Sequence, residues 1–547
     1  MQAGELEIVT EVKSSARVLS GNFIETSPSS VNEGVPKGES SVNAKRHDLS
    51  KEQFPSKPTF PSPGLRAKPS SAERSSTALS AAVYTDHGAC SDIGRSILLR
   101  GGNAMDAAIA TFLCLSAALP HRGGLGGGLM ATVYADARES CPADATEAFF
   151  INRRDETIVG PRAVAVPASL NGLYRAFEKY SSKRLSWRQL VKPTIELCLR
   201  GITVTKKLSQ DLSEFQSLIM NNSRMRSHFV NETTGEVLAR GDKMSCPLLA
   251  NFLRDMVDAD DPVEFFYRGQ GSARLLKFIG DSDGFIASQD LEDCESEFHP
   301  GMQMFLGGHT ICGPPPPSIY SVVQLAVAAM YESNSTSPEI PLLAWDKSKL
   351  IGDAVFDETI LDDAEQLVGK DSVQNILKRF RNRNSPEIQY ESVEEGSFSV
   401  LVIDERGNAV SMTSSLGDKF GNRDFTEFGF FMNNAMGAFT YGTQLGSMES
   451  RNAPQPAKCP RTQMSPVIGV KDGEVQKWQL ALADSGLKLN TKKAEVMSSI
   501  EEDGPVFDAN RIALAQAKEF KYMGRVLSAD GTVEAAVRGR IKCAWMK

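Results

Sequence analysis

Two short apolar runs near the centre of the chain contain the residues that suggest chemistry. Residues 396–404 read GSFSVLVID and residues 407–415 read GNAVSMTSS, with turn-forming residues between them. Such runs predict two strands joined as a β-hairpin. The first strand opens with Gly396-Ser397. If the chain cuts itself before this hydroxyl residue, the freed α-amine of Ser397 can act as the base for its own side chain.

A plainer interpretation of Ser397 is that it merely begins a strand after a glycine, so the elements around the hairpin matter. Apolar residues at helical spacing predict a helix that Ser91 caps and that ends at residue 100. Asn103 is expected to cap a second helix over residues 104–119, which is apolar on nearly every side and therefore buried. A glycine-rich loop at residues 123–128 leads into a strand over residues 130–134. Because a dinucleotide-binding loop must follow a strand and open a helix, this order argues against nucleotide binding.

Composition excludes several classes of function. The chain has 547 residues, of which 41% are hydrophobic and 23% are charged, so it is long enough for two or three domains. Its formal net charge of -8 gives no reason to expect nucleic acid or an anionic membrane as a partner of the whole chain. The nine cysteines include no Cys-x-x-Cys pair, which argues against a structural zinc site, and their odd number leaves at least one outside intrachain disulfides. We therefore expect no metal and no cofactor.

The sequence also lacks the usual signals for export or membrane insertion. No apolar run reaches the roughly 20 residues of a membrane span, and the first 50 residues contain no apolar core of a signal peptide. Residues 1–77 are rich in Ser, Pro, Lys and Glu and predict a disordered tail. Taken literally, these features predict a cytoplasmic protein.

A series of motifs gives the chain a recognisable resemblance. The run GGNAMDAAIA at residues 101–110 is followed in order by motifs at residues 119–128, 160–167, 172–180, 187–201, 397–415 and 431–434. Over about residues 81–477 the chain resembles the gamma-glutamyltransferase family, also called glutathione hydrolases. The resemblance implies an α+β fold, an αββα sandwich of the N-terminal-nucleophile hydrolase type.

The same resemblance implies a reaction and a location. One precursor cleaves itself into a large and a small subunit, which then transfer the γ-glutamyl group of glutathione to water or to an amino acid. The implied partners are a small γ-glutamyl substrate such as glutathione and the two subunits of one precursor, with no nucleic acid. The implied location is the plasma membrane or the extracellular space, in contrast to the literal reading of the sequence.

Individual site residues follow from matching the motifs position by position. Ser397 takes the place of the family's nucleophilic Thr, although an alternative alignment of the strand would put Glu395 there, which cannot attack. Ser415 matches the hydroxyl that supports the nucleophile, and Thr462 matches one of two substrate-binding hydroxyls. Arg154 matches the Arg that holds the substrate α-carboxylate, because a guanidinium can bind a carboxylate bidentately. The alternative for Arg154 is a solvated surface charge.

Several positions depart from the family's pattern. Gly417 stands where the family has Asn, and residues 435–438 (AMGA) stand where the family presents acidic residues to the substrate's α-ammonium. No Gly-Gly turn, which would supply the oxyanion hole, follows Gly473, so the small subunit is predicted to be truncated. These departures keep a second interpretation open, in which the chain is a non-catalytic family member or a chimeric gene product.

The C-terminal part resembles a different family. Residues 478–547 are similar to the segment that follows the catalytic aspartates of non-LTR retrotransposon reverse transcriptases. Residues 481–547 contain 11 Lys and Arg against 9 Asp and Glu, a balance that does not predict nucleic-acid binding. The predicted organisation is therefore a tail over 1–77, a large-subunit region over 78–396, a partial small-subunit region over 397–477 and a reverse-transcriptase-like fragment over 478–547.

Overall fold

The fold is known from a computed structural model. It describes residues 81–132, 135–150, 153–382, 396–441 and 449–471, together with strand segments between residues 474 and 528. Two compact units are present, Ala81–Gly473 and Glu474–Lys547. The predicted tail over 1–77 and the alternative nucleophile position, Glu395, lie outside the described residues.

The first unit contains ten strands and sixteen α-helices among its described residues. The strands are β1 (Ala82–Thr85), β2 (Gly128–Thr132), β3 (Ala135–Ala137), β4 (Ile202–Thr203), β5 (Lys243–Met244), β6 (Met302–Leu306), β7 (His309–Gly313), β8 (Gly396–Ile403), β9 (Ala409–Gly417) and β10 (Ile468–Lys471). The first eight helices are α1 (Gly88–Leu99), α2 (Ala104–Ala118), α3 (Glu147–Phe150), α4 (Ser169–Tyr180), α5 (Trp187–Arg200), α6 (Lys206–Glu214), α7 (Gln216–Asn221) and α8 (Ser223–Phe229). The others are α9 (Pro247–Asp258), α10 (Pro262–Tyr267), α11 (Gln270–Gly280), α12 (Ser288–Glu292), α13 (Tyr320–Ser333), α14 (Glu339–Trp345), α15 (Thr359–Leu367) and α16 (Lys370–Arg381).

The predicted hairpin forms the centre of an antiparallel sheet. The strand order is β1-β8-β9-β2-β3, and β8 and β9 are joined by a turn at residues 404–408. Alternate residues of β8, namely Phe398, Val400 and Val402, are buried because they pack on the helical side of the sheet. There the ring of Phe398 meets the ring of Phe112 of α2 edge to face at 5.3 Å. The prediction of a hairpin that opens at Gly396-Ser397 is confirmed.

Helix α2 is the buried helix that the sequence predicts. The Asn103 side chain accepts a hydrogen bond from the amide of Asp106, and the Asp106 carboxylate accepts one from the amide of Asn103. Every residue of α2 is buried. A disulfide joins Cys90 of α1 to Cys114 of α2. The prediction that Ser91 caps α1 is wrong, because the helix begins at Gly88, with the carbonyl of residue 87 accepting its first hydrogen bonds.

A second antiparallel sheet faces the first. Its strand order is β10-β7-β6, and a separate cluster of buried apolar residues from α13, α14 and α16 lies on its outer side. The hydroxyl of Thr132 in β2 donates to the carbonyl of Pro466, just before β10. Two sheets between two helical layers make an αββα arrangement, so the predicted fold class is confirmed.

The second unit is described only by its short strands. These are β11 (Glu474–Val475), β12 (Glu495–Val496), β13 (Val506–Phe507), β14 (Ala513–Gln516), β15 (Glu519–Tyr522) and β16 (Arg525–Ser528). Strand β14 pairs with β12 in parallel and with β13 antiparallel, and β15 pairs with β16 antiparallel. Across the described parts of both units, no helix combines the length and hydropathy that a membrane span requires.

Candidate active site

Ser397 and Ser415 lie directly opposite each other on β8 and β9. The Ser415 hydroxyl donates a hydrogen bond of 2.8 Å to the carbonyl oxygen of Gly396. The same hydroxyl oxygen accepts a hydrogen bond of 2.9 Å from the amide of Gly417. Because Ser415 is buried and its oxygen is held by this amide, its proton is directed at the carbonyl that precedes Ser397.

The peptide between residues 396 and 397 sits at an irregular point of the sheet. The pairing of β8 with β9 shifts between Gly396 and Ser397, as at a β-bulge. Bulges re-aim side chains and are common beside active sites. A β-carbon on Gly396 would collide with the backbone carbonyl of Asp418. The glycine before Ser397 is therefore required by close backbone contact.

The side chain of Asn434 links the end of β9 to the rest of the site. Its Oδ1 accepts a hydrogen bond from the amide of Asp418 at 2.9 Å, and its Nδ2 donates to Asp418 Oδ2 at 3.0 Å and to the carbonyl of Ile158 at 3.0 Å. Gly417 has a φ of +87°, and a β-carbon there would collide with Asn434 Oδ1. The side-chain amide of Asn434 thus occupies the space where the β-carbon of a residue at position 417 would lie.

Arg154 lies on the 3-10 helix Arg154–Thr157, which the Ile158 contact connects to Asn434. Its side chain is exposed, Nη1 donates to the carbonyl of Tyr441 at 3.4 Å, and the guanidinium lies 5.5 Å from the centre of the Tyr441 ring. The structure therefore brings the backbone that carries Arg154 to the edge of the site and leaves its guanidinium at the surface.

Thr462 is buried beside the segment that precedes α13. Its amide donates to the carbonyl of Pro317 at 3.0 Å, and its own carbonyl accepts from the amide of Ile319 at 3.0 Å. The Thr462 hydroxyl oxygen accepts a hydrogen bond of 3.1 Å from the amide of Met464. The hydroxyl oxygen predicted to bind substrate thus already holds the backbone of its own loop.

The residues after Asn433 form the short 3-10 helix Ala435–Ala438, which lies against the Arg154–Thr157 helix. The amide side chain of Asn433 donates to the carbonyls of Gly126 and Ala165, both at 2.9 Å. Its Oδ1 accepts from the amides of Ala165 and Ala435, both at 3.0 Å. These hydrogen bonds hold the backbone of residues 435–438 in place, yet none of the four residues carries a carboxylate.

Two carboxylates that the sequence motifs do not single out lie on residues near Ser397 and Ser415, which together form the serine pair. Asp418 follows β9 and bonds to Asn434, as described above. The buried Glu139 carboxylate occupies the space where a β-carbon on Gly128 would lie, and Gly128 pairs directly with Ser415. Arg138 Nη1 lies 3.2 Å from Glu139 Oε2. The sequence feature that points to this carboxylate is the glycine at position 128, because any larger residue there would collide with Glu139.

A buried ion cluster fixes the segment that follows Ser415. Asp211 of α6 accepts hydrogen bonds from Arg122 and contacts His121 Nε2 at 3.0 Å and Lys419 Nζ at 3.3 Å. The amides of Leu416 and residue 420 in turn donate to the carbonyls of Arg122 and His121. Burial alone would raise the pKa of Asp211, but the hydrogen bonds and charges of His121 and Arg122 outweigh it and hold that pKa well below its usual range.

No group of three or more His, Cys, Asp or Glu side chains is placed to hold a metal ion in the part of the chain that the structure describes. The serine pair can supply a nucleophile and a hydroxyl donor aimed at one carbonyl. This is a set of groups suited to acyl transfer.

Known proteins match most of this chain in sequence. The family model for gamma-glutamyltranspeptidase matches residues 90–482. The chain is 29% identical over 425 residues to glutathione hydrolase 3 of Arabidopsis thaliana, covering 72% of this chain and 66% of that protein. It is 28% identical over 444 residues to the glutathione hydrolase 5 proenzyme of Rattus norvegicus, covering 75% of this chain and 76% of that protein. The chain thus spans about two thirds to three quarters of the length of these relatives.

Solved structures show the same fold. The cephalosporin acylase from Bacillus halodurans superposes with a TM-score of 0.61 at 19% identity, covering 75% of this chain and 79% of the acylase. At that identity the likeness concerns the fold alone. The family match, by contrast, includes the glycine-rich loop, both strands of the hairpin and the Asn433-Asn434 pair. With most of its length matched, the chain belongs to the gamma-glutamyltranspeptidase family and has glutathione hydrolases among its homologues.

Proposed function

We propose that the chain cleaves itself between Gly396 and Ser397 and that the freed Ser397 then transfers γ-glutamyl groups to water or to amino acids. One observation carries this proposal. The Ser415 hydroxyl donates to the carbonyl oxygen of Gly396 from a position directly across the sheet from Ser397. A hydroxyl held there stabilises the negative charge that grows on this oxygen when a nucleophile attacks.

Self-cleavage would proceed through an ester. The Ser397 hydroxyl oxygen attacks the Gly396 carbonyl carbon, the C–N bond between the two residues breaks, and the hydroxyl proton passes to the nitrogen. The acyl group is then held as an ester on the Ser397 oxygen. Water hydrolyses this ester, leaving a carboxylate on Gly396 and a free α-amine and hydroxyl on Ser397.

Turnover uses the two groups that cleavage sets free. The α-amine takes the proton of the Ser397 hydroxyl while its oxygen attacks the γ-carbonyl of the substrate, and the amine then passes that proton to the departing nitrogen. An α-amine has an ordinary pKa of about 7.7–8.0, which suits a base that works near neutral pH. Water or an amino acid releases the γ-glutamyl group from the ester, and Arg154 holds the α-carboxylate of the substrate.

The partners of this proposal are a small γ-glutamyl compound such as glutathione and the two subunits cut from one precursor. We place the protein in an oxidising compartment such as the cell exterior, because a disulfide between Cys90 and Cys114 persists in such compartments and is rare in the cytosol. Residues 478–547, which resemble a reverse transcriptase fragment, take no part in the reaction in this proposal.

A second candidate, a non-catalytic member of the family, is favoured by a specific observation. The backbone of residues 435–438 is held in place by Asn433, but none of its side chains can receive an α-ammonium. An ammonium buried without an acidic partner costs several kcal/mol. In this case the chain would keep the fold and the serine pair without useful turnover.

A processing assay tests the first candidate at its first step. The purified full chain should resolve into two bands on a denaturing gel, with Ser397 at the N-terminus of the smaller product. Ser397→Ala should leave a single band, whereas Ser397→Thr, which keeps a hydroxyl, should still be cut. A wild-type chain that stays intact through prolonged incubation would exclude the self-cleaving enzyme and leave the non-catalytic member.

A further inference from the structure

Two buried cysteines meet where one helix ends and another begins. Cys198 lies in the last turn of α5, and Cys246 is the residue before α9. The amide of Cys246 donates a hydrogen bond of 3.0 Å to the carbonyl of Cys198. That carbonyl is one of the last four of its helix, which have no partner within the helix. Cys246 therefore caps α5 with its own backbone.

This backbone contact brings the two residues within disulfide range. A backbone N–O distance of 3.0 Å, together with the bonds that join each atom to its Cα, keeps the two Cα atoms within about 7 Å of each other, and disulfides span about 4.4–6.8 Å between Cα atoms. Both cysteines are free thiols in the structure, and the Cys246 thiol makes a hydrogen bond with Cys198 that, together with burial, raises its pKa well above the usual range. The Nε2 of His228 lies 3.8 Å from the Sγ of Cys246.

We propose that Cys198 and Cys246 form a second disulfide when the chain folds in an oxidising compartment. With a disulfide oxidant such as oxidised glutathione, the two thiols give up two electrons and two protons. One S–S bond forms in the protein, the S–S bond of the oxidant breaks, and two molecules of reduced glutathione leave.

The timing of this reaction follows from burial. Both cysteines are buried in the folded chain, where a disulfide oxidant cannot reach their sulfurs. The bond therefore forms before α5 and α9 close over the two sulfurs, and it is shielded from reductants afterwards.

The bond would act on the part of the fold that supports the serine pair. It closes a loop that contains α6, α7 and α8, and α6 carries Asp211, which bonds to the segment after Ser415. Closing a loop of this size restricts the unfolded chain and so stabilises the folded one. The second disulfide would therefore restrict the movement of α6, which carries Asp211, relative to α5 and α9.

The test is a map of disulfides in the full-length wild-type chain. The protein is refolded in a buffer of reduced and oxidised glutathione, unfolded in an alkylating reagent and analysed by mass spectrometry without reduction. A peptide pair that links residues 198 and 246 is expected beside the pair that links residues 90 and 114. Alkylated Cys198 and Cys246 in molecules whose Cys90–Cys114 bond is intact would overturn the proposal.

Variants give a second readout. The double variant Cys198→Ala with Cys246→Ala should melt several degrees below the wild type after oxidative refolding, and at nearly the same temperature after folding in a reductant that keeps both proteins free of disulfides. Cys294→Ala is the matched control, because it also removes a buried thiol and should lower both melting temperatures equally. If the double variant behaves like this control under both conditions, no bond joins the pair. If it does not fold, the disulfide map of the wild type decides alone.

Discussion

The serine pair and the short helix over residues 435–438 are held in place by different kinds of contact. Ser397 and Ser415 are positioned by the register of β8 and β9, so their approach is set by backbone pairing that many side chains support. The helix over residues 435–438 is positioned by the amide of Asn433, which acts on backbone groups and not on the side chains of that helix. Ala435 and Met436 are buried there, but the half-exposed side chain of Ala438 can change without loss of the local fold.

This difference would let a chain keep the serine pair while the half-exposed side chains of the short helix change. Replacing a residue within the paired strands disturbs a sheet packed on α2, whereas replacing an acidic residue of the short helix by Ala438 leaves every backbone contact of that helix in place. Variants of the two regions can show whether the serine pair supports cleavage and whether the short helix lacks a group needed to bind substrate.

The largest effect is expected from Ser415→Ala, which removes the hydroxyl that points at the Gly396 carbonyl. Loss of one such donor typically slows acyl transfer by about a hundred- to a thousandfold. The rate of self-cleavage, followed on denaturing gels after the precursor is refolded, should fall by that factor.

Ser414→Ala is the matched control for this prediction. Ser414 is an equally buried serine of the same strand, but it points to the other face, where its hydroxyl donates to the carbonyl of Gly128 at 2.9 Å. The control should lose stability without a comparable loss in cleavage rate. Equal slowing in both variants would mean that Ser415 supports the strand and not the reaction.

A somewhat smaller effect is expected from Asp211→Asn, in the cluster that fixes the segment after Ser415. The change removes the carboxylate that lies 2.6 Å from Arg122, while Lys419 keeps its contact with Glu214 at 2.9 Å. Removing one partner of a buried ion pair costs about 3 kcal/mol. The free energy of unfolding in urea, measured at pH 7, should fall by about that amount.

The same variant tests a dependence on pH. The pKa of Asp211 is lower in the folded chain than in the unfolded one, so its carboxylate stabilises the fold above the unfolded value of about 3.9 and that contribution is lost as the pH falls below it. The stability difference between wild type and Asp211→Asn should therefore shrink on acidification below about pH 4. A difference that stays constant from pH 7 to pH 3 would show that folding does not lower the pKa of Asp211.

The sequence predicted the hairpin and α2 with its Asn103 cap, because these follow from strand alternation and capping chemistry, and the family resemblance placed Ser415 on the strand next to that of Ser397. It did not predict where Glu139 and Asp418 lie. The close approach of a carboxylate to Gly128 and of a carbonyl to Gly396 arises only in the folded chain. A glycine in a sequence can indicate that there is no room for a β-carbon, but it does not indicate which group fills that room.

A third prediction concerns Gly417, where the family has Asn. In Gly417→Asn the new β-carbon would collide with Asn434 Oδ1 at a φ of +87°. Importing the family's residue should therefore lower stability instead of restoring function. Gly407→Asn is the matched control, because Gly407 has nearly the same φ, +86°, and open space around its α-carbon.

Both variants carry the cost of a non-glycine residue with positive φ, about 1–2 kcal/mol. The free energies of unfolding should show that Gly417→Asn costs more, by about a further 1 kcal/mol for the side chains that must move aside. Equal costs would mean that Asn434 yields freely, and position 417 could then accept the family's side chain.

The smallest effect is expected from Ala438→Asp, which returns a carboxylate to the half-exposed helix over residues 435–438. If the missing acidic partner limits recognition, the new charge should improve binding of a γ-glutamyl substrate by about tenfold, near the 1.5 kcal/mol that a hydrogen bond to a charged group contributes. Calorimetry with glutathione, or KM for a γ-glutamyl anilide where turnover is measurable, gives the number. Ala438→Asn supplies a side chain of the same shape without the charge and should not improve binding.

One outcome would relocate the ammonium site instead of restoring it. The Asp418 carboxylate lies at the end of β9, next to the Ser415–Gly417 turn, and its Oδ2 is bonded to Asn434. If the unmodified chain already binds glutathione tightly, gains nothing from Ala438→Asp and loses binding in Asp418→Asn, then Asp418 receives the ammonium. The hairpin would in that case hold both the group that breaks the bond and the group that recognises the substrate. Receipt of the substrate's α-ammonium would then have moved from the helix over residues 435–438 to the end of β9.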